Sequence, residues 1–501
     1  MTDMHLPRAL PCEKGVDARG ISDFIEADNA AGLELHSFML YRAGAVVAEA
    51  YWSPYRADRP HVQHSATKSW AATAVGLLVD DGRLSLDDKV VGFFPDDCPS
   101  VISDNLAAMT VRDLLTMRTG HQRGISGGAW RGLRDSWVRA FLAEPVADRP
   151  GEHFIYSSGS SFMLSAIATR VSGKTLHELC TERLFTPMGM GRIDWDMAPD
   201  GFNTGGNGLT CTTEDSLKFG VLHLNRGQWL GQQLLSGEWI DEATRNHVEH
   251  VWMGEFDGKR FLGREEGAQG AVAKRDGYGY QWWMTRHGGY YASGVFGQQC
   301  IVLPDQQTVI AFTCGLPLGE RRLHMLMWEH LFPALDTPAR LPGHAEQQLQ
   351  TLIEGLHLPE LSGACDSPAL PLLQGQFDIE PNEDQVTHVS FDFSAGACEF
   401  TLSDHRGTHR IAVGLALGIE SQTSMTGNYL HHQYQPDLTP VVAQGRWTAE
   451  HEFTMNWRFV ETAFSDRVVC RLEQGQLFLD RSVNANAGPL LRPTLTGTPV
   501  Q

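Results

Sequence analysis

The sequence predicts a mixed α/β (α+β) domain over residues 1–335 and a C-terminal all-β barrel- or sandwich-like domain over 371–501, joined by a 336–370 linker with a short helix. Three observations carry that prediction. Up to Leu335, helical apolar spacings alternate with compact apolar runs. Thr337–Pro342 and Pro359–Pro371 are punctuated by Pro, Gly and Ser. Beyond Pro371 short strand-like runs follow one another to about Asp480, without a single lysine. The chain has 501 residues, 42% hydrophobic and 20% charged, which is an ordinary globular composition with length for two or three domains. Its formal net charge of −20 opposes binding to nucleic acid or anionic lipid.

The elements follow in order. Ser37–Tyr51 reads as a β-hairpin turning at Ala43-Gly44. Ser65–Asp81 has apolar residues every three to four positions, with Gly82 placed to end a helix in the left-handed conformation. Thr110-Val-Arg-Asp113 before Leu114-Leu115 is a capped helix start, with Asp in place of Glu. Ser157–Ser172 and Thr213–Leu224 are further helices, and Ile301–Val302 and Val309–Thr313 are buried strands about the turn Pro304-Asp305-Gln306. His344–Leu356 is the linker helix. In the last domain His451–Val460 alternates strictly, with Phe453, Met455, Trp457 and Phe459 on one face. Val468–Leu472 and Leu477–Leu479 flank a Gln474-Gly475 turn, and the tail from Ser482 reads as loop.

The N-terminal residues carry two prolines and no apolar run of the kind a secretory signal needs, and no stretch reaches membrane-spanning length. The nine cysteines are odd in number and scattered, without a CxxC pair, so the expectation is a reduced, cytoplasmic protein. The pairs His61/His64, His405/His409 and His431-His432 lack a third ligand in register, so no metal is expected.

Three motifs carry chemistry. Ser65-Ala-Thr-Lys68 places a hydroxyl and an amine one helical turn apart on one face. A lysine kept dry there can take the serine proton, and the N–H of a helix-opening Ser65 can stabilise an oxyanion. Tyr156-Ser157-Ser158 follows a Pro150-Gly151 turn, where a phenol beside an ammonium can serve as general base and acid. Tyr290–Gly297 is a strand whose glycines let backbone approach a ligand closely. Each has a plain structural reading when taken alone: a capping serine, a half-buried tyrosine, a Gly-rich hairpin.

Taken together and in this order, they resemble the serine β-lactamase and penicillin-binding-protein superfamily, in its class C β-lactamase-like branch of esterases, D-aminopeptidases and 6-aminohexanoate-dimer hydrolase. The resemblance extends over roughly Gly20–Leu335 and includes His64–Trp70, Gly82–Asp88, Met109–Gly120, Phe154–Ser157, Gly208–Asp215, Tyr278–Trp282 and Gly297–Asp305. It implies an antiparallel sheet flanked by helices, plus a helical subdomain. It also implies Ser65 as acylated nucleophile, Lys68 and Tyr156 as its proton-transfer pair with the formal base left open, and the N–H groups of Ser65 and Val295 as oxyanion hole. Ser158, Ser293 and Gly294 fall at substrate-binding positions. Two departures stand out. Tyr-x-Asn of the family is Tyr156-Ser157-Ser158, and the Lys-Thr-Gly or His-x-Gly strand motif is Ala292-Ser293-Gly294. Ala292 cannot bind a substrate carboxylate, which argues against efficient β-lactam hydrolysis.

The expected function is hydrolysis of an amide, peptide or ester bond in a small substrate, with neither metal nor organic cofactor and neither nucleic acid nor membrane as partner. Alternatives with the same residues are a carboxylesterase, a peptide acyltransferase or cyclase, and a β-lactamase or D,D-carboxypeptidase. A non-catalytic binding protein built on the β-domain is the alternative of another class. Gly277–Trp283 and Trp130–Trp137 are candidate linings of an acyl pocket, and Trp252–Asp276 a candidate lid. Oligomeric state stays open.

Overall fold

Residues 4–125, 132–249, 251–252, 274–317, 321–338, 341–394, 396–425, 430–431, 436–486 and 488–500 are described by a computed structural model. The chain divides into two compact units, one of Met1–Tyr51, Pro60–Cys314 and Arg321–Gly355, the other of Trp52–Arg59, Gly315–Glu320 and Leu356–Gln501.

The first unit is built on an antiparallel sheet. Its strands are β1 (Leu35–Arg42), β2 (Ala45–Tyr51), β3 (Trp283–Met284), β4 (Tyr290–Gly294), β5 (Gln298–Leu303) and β6 (Thr308–Cys314), in the order β3-β4-β5-β6-β1-β2. The β1–β2 hairpin turns at Ala43 and Gly44, both at positive φ (44° and 96°), which matches the twist of the strands it joins. β5 and β6 are buried along their whole length, as the apolar runs Cys300–Leu303 and Val309–Phe312 within them require.

Strand parity assigns a helix to each face. Phe312 and Phe38 pair across β6 and β1, and both rings meet Phe24 of α1 (Ala18–Ala31). Cys300 and Val309 point to the other face, where a Cβ on Gly220 would lie 2.6 and 2.4 Å from them. Only glycine lets the helix that carries it approach so closely. Among the other helices of this unit, three position the site: α2 (Thr67–Asp80), α3 (Ser158–Ser172) and α4 (Thr213–Leu224), the last bearing Gly220. α2 packs on α3 and is apolar nearly all round, so it is buried nearly all round. Gly82 follows the end of α2 at φ 65°, the left-handed conformation expected there, and Thr110 and Asp113 form the expected reciprocal cap.

The second unit holds β7 (Gly375–Ile379), β8 (His388–Ser394), β9 (Ala397–Asp404), β10 (Gly407–Gly414), β11 (Ile419–Thr423), β12 (Thr439–Ala449), β13 (Glu452–Phe459), β14 (Ser465–Glu473), β15 (Gln476–Val483) and β16 (Leu495–Pro499). The ladder runs β10-β9-β8-β7-β16-β15-β14-β13-β12, and pairing of Gly414 with Gln444 joins β10 back to β12. The result is a closed nine-stranded barrel, with β11 paired alongside β12. Closure removes the exposed edges that an open sheet presents. Phe453, Met455, Trp457 and Phe459 are fully buried, as their alternation requires. The tail departs from expectation: Leu495–Pro499 is a strand, not loop, paired with both β7 and β15. Its Thr, Gly and Pro give it no apolar alternation of its own, and the two neighbouring ladders supply its structure.

Candidate active site

The segment leading into α2 fixes Ser65. His61–Val62 pairs with Leu209–Cys211, and Gln63 N–H donates to Leu209 O at 2.8 Å. His64 then turns the chain at φ 47° into a single 3-10 turn, His64–Ala66. The regular helix begins at Thr67, two residues later than the expected Ser65 start. Thr67 Oγ1 accepts from Leu209 N–H at 3.2 Å, so both sides of the serine turn are tied to one strand.

Lys68 lies one turn beyond Ser65 and is 1% exposed. Its Nζ donates to Ser65 Oγ at 3.0 Å, Ser158 Oγ at 3.1 Å and Gly206 O at 2.7 Å. It also stands 4.9 Å from the centre of the Tyr156 ring, within cation–π range. One buried amine therefore gathers Ser65, Ser158 and Tyr156. Tyr156 is itself buried, and Trp283 stacks on it with ring centres 5.5 Å apart. Burial first, and then neighbouring Tyr156, hold the Tyr278 phenol well above its ordinary value.

The strand β4 meets this turn from the sheet side. A Cβ on Gly294 would come within 2.2 Å of Gln63 O, so glycine is required for the approach. Two residues on, the Phe296 ring packs edge-on against His64 at 5.4 Å. Val295 lies between these two contacts. Ser293 of β4 pairs with Gln299 of β5, and strand alternation turns the Ser293 side chain away from the face that Ala292 and Gly294 share.

Sequence reasoning missed Gly206 as part of this arrangement, and it offered Trp283 only as one residue of a candidate pocket lining, not as the partner of Tyr156. Gly206 acts through its carbonyl, which side-chain motifs do not reveal. The signal available was the run Thr204-Gly-Gly-Asn-Gly208: a Cβ on Gly206 would sit 2.9 Å from Ser158 O. Of the candidate pocket aromatics, Tyr278, Tyr280, Trp282 and Trp137 are core, with Trp282 stacked on Phe219 at 5.6 Å. Trp130 lies outside the described residues, as does most of Trp252–Asp276. All nine cysteines lie among the described residues, and no disulfide joins any two of them. Among the described residues no group of three His, Cys, Asp or Glu is placed to hold a metal ion, and no helix is long and apolar enough to cross a membrane.

Fold and site together define a serine hydrolase. The β-lactamase family profile matches residues 21–324, more than half of the chain, and the chain belongs to that family. It is 27% identical over 303 residues to the 6-aminohexanoate-dimer hydrolase of Paenarthrobacter ureafaciens, spanning 57% of this chain and 74% of that one. It is 28% identical over 173 residues to esterase EstB of Burkholderia gladioli, spanning 31% of this chain and 43% of that one. A solved structure from Bacteroides dorei assigned as a β-lactamase shares the fold, with a TM-score of 0.52 at 19% identity, over 63% of this chain and 99% of that one.

Proposed function

We propose that the protein cleaves an amide, peptide or ester bond of a small substrate through an acyl-enzyme on Ser65. The observation that carries this reading is the buried Lys68 amine 3.0 Å from Ser65 Oγ. In the first step Ser65 Oγ attacks the carbonyl carbon while its proton passes to the Lys68/Tyr156 pair. The pair returns that proton to the leaving nitrogen or oxygen as the C–N or C–O bond breaks. Water then attacks the acyl carbon, gives its proton to the pair, and Ser65 Oγ leaves with it. The backbone N–H groups of Ser65 and Val295 meet the negative charge that develops on the carbonyl oxygen. The contacts of Gly294 with Gln63 and of Phe296 with His64 support that pairing.

These steps need neither metal nor organic cofactor. Ser158 and Gly294 are assigned to the substrate side of the site, with Ser158 also bonded to Lys68, and Ser293 by its backbone alone, since its side chain turns to the opposite face. Ala292 offers no charge to a substrate carboxylate, which favours uncharged acyl groups over β-lactams. A dimer of an amino acid is joined by an amide, so the two named relatives leave amide and ester both within reach. The test is fluorophosphonate labelling, and turnover of matched p-nitrophenyl esters, p-nitroanilides and short peptides, by wild type and Ser65→Ala. Labelling and turnover that require Ser65 are expected; wild type that resists labelling as fully as Ser65→Ala ends the proposal.

A further inference from the structure

Gln281 stands at φ 61°, a left-handed conformation that glycine adopts freely, and it is 2% exposed. Its polar atoms are engaged on every side. Its N–H donates to Leu115 O at 3.2 Å, and its side-chain Nε2 donates to Leu114 O and Leu115 O at 3.0 and 2.9 Å. Its carbonyl O accepts from Ser69 Oγ at 2.6 Å, and its Oε1 from Ser161 Oγ at 2.6 Å. Ser69 follows Lys68 in α2. Ser161 lies one helical turn from Ser158 in α3. The same residue therefore grips both helices that the Lys68–Ser158 hydrogen bond crosses. Two positions further on, Trp283 stacks on Tyr156.

We propose that Gln281 is a positioning residue for the reaction, holding Lys68 and Ser158 at bonding distance and setting Tyr156 through Trp283. The inference rests on the acyl-enzyme reading above. A backbone that only needed to turn would be served by glycine, which lacks the strain and the side chain alike. The retained strain at the junction of two helices, beside a residue that touches a third group of the site, marks the carboxamide as functional. Displacement of such a group by fractions of an ångström changes rate more than binding.

The variants Gln281→Gly and Gln281→Asn both tolerate the left-handed backbone. The first has no side chain; the second has the same amide but one methylene too little to reach Ser161 and the Leu114 and Leu115 carbonyls together. With a p-nitrophenyl ester, kcat is expected to fall by about 10- to 100-fold in Gln281→Gly and less in Gln281→Asn, with KM changed by no more than about three-fold. The kcat–pH profile is expected to shift, since the geometry around Lys68 and Tyr156 sets it, while thermal melting confirms folded protein at the assay temperature. Unchanged kcat and pH profile in a folded variant, an effect on KM alone, or activity that only tracks the folded fraction overturns the inference. If both variants are unfolded at the assay temperature, Gln281 is structural and the inference also falls. Wild type without Ser65-dependent labelling removes the acyl-enzyme reading itself. Labelled wild type with unaltered Gln281 variants removes the positioning role alone.

Discussion

Lys68 Nζ and Ser158 Oγ lie 3.1 Å apart, on two different helices, with Ser65 Oγ bonded to the same amine. The position that resembles the family's substrate-binding asparagine is thereby drawn into the hydrogen bonds of the amine. Ser158→Ala should lower kcat by roughly 10-fold, the cost of one hydrogen bond to a charged group, with a smaller change in KM. Steady-state kinetics on an ester substrate checks this, and a pure KM effect would return Ser158 to substrate contact alone.

Lys68→Ala and Lys68→Arg should both suppress Ser65 labelling, by at least about 100-fold. Arginine keeps a positive charge but is planar, larger and unable to release a proton at working pH, so charge alone does not restore the reaction. Robust labelling of Lys68→Arg would show that Lys68 acts as a fixed charge and not in proton transfer.

A chromogenic cephalosporin should be turned over with a kcat/KM roughly 100-fold or more below that of the best p-nitrophenyl ester. Loss of one charge-assisted contact to the β-lactam carboxylate at Ala292 accounts for a difference of that order. Comparable kcat/KM values for the two would mean that other groups bind the carboxylate.

Asp28 in α1 is 0% exposed, and among the described residues neither of its carboxylate oxygens has a hydrogen-bond partner. Burial pushes its carboxyl up to about 8. An unfolded aspartate titrates near about 4. Between these values the folded protein holds a proton that the unfolded chain has released, so this group lowers stability as pH rises. Asp28→Asn should therefore raise stability by a few kcal/mol at about pH 8, and the gain should shrink towards pH 4. Denaturant midpoints across that range test it; a gain independent of pH would rule out titration of Asp28 as the cause.

Inside the barrel, Asp466 joins His431 Nε2 at 2.6 Å and Arg481 Nη2 at 2.6 Å, with no exposure of either the histidine or the carboxylate side chain. Burial pushes the carboxyl up, but the charges and hydrogen bonds of His431 and Arg481 outweigh it and hold the group below its ordinary value. Asp466→Ala would strand both partners in the interior and should destabilise the barrel unit by about 3–5 kcal/mol. Calorimetry or chemical denaturation reads this, and a change under about 1 kcal/mol would contradict it.

Elements with a strong local period were legible in the sequence. The Ala43-Gly44 hairpin, the helix Thr213–Leu224 and the alternation of Phe453–Phe459 each depend on side-chain spacing that folding preserves. The Ser65–Lys68 contact was legible for the same reason, because one helical turn fixes it. What stayed hidden depends on backbone or on distant neighbours. Gly206 contributes a carbonyl, Gln281 works through a dihedral that its residue type disfavours, and Leu495–Pro499 is a strand only because two other strands lie beside its place. The two-residue error in the helix start at Ser65 has a similar origin: the left-handed turn at His64 follows from the bond of neighbouring Gln63 to Leu209, well over a hundred residues away.

The place of β16 between β7 and β15 sets an order of assembly. Strands β7 to β15 are all synthesised before the strand that seals them, so a nascent chain carries an unsealed seam until residue 499 has left the ribosome. At about 5–20 residues per second, the residues up to Gly355 have had several seconds to collapse by then. During that interval the facing edges of β7 and β15 are open to pairing with another chain. Loss of the last few residues would make that transient exposure permanent.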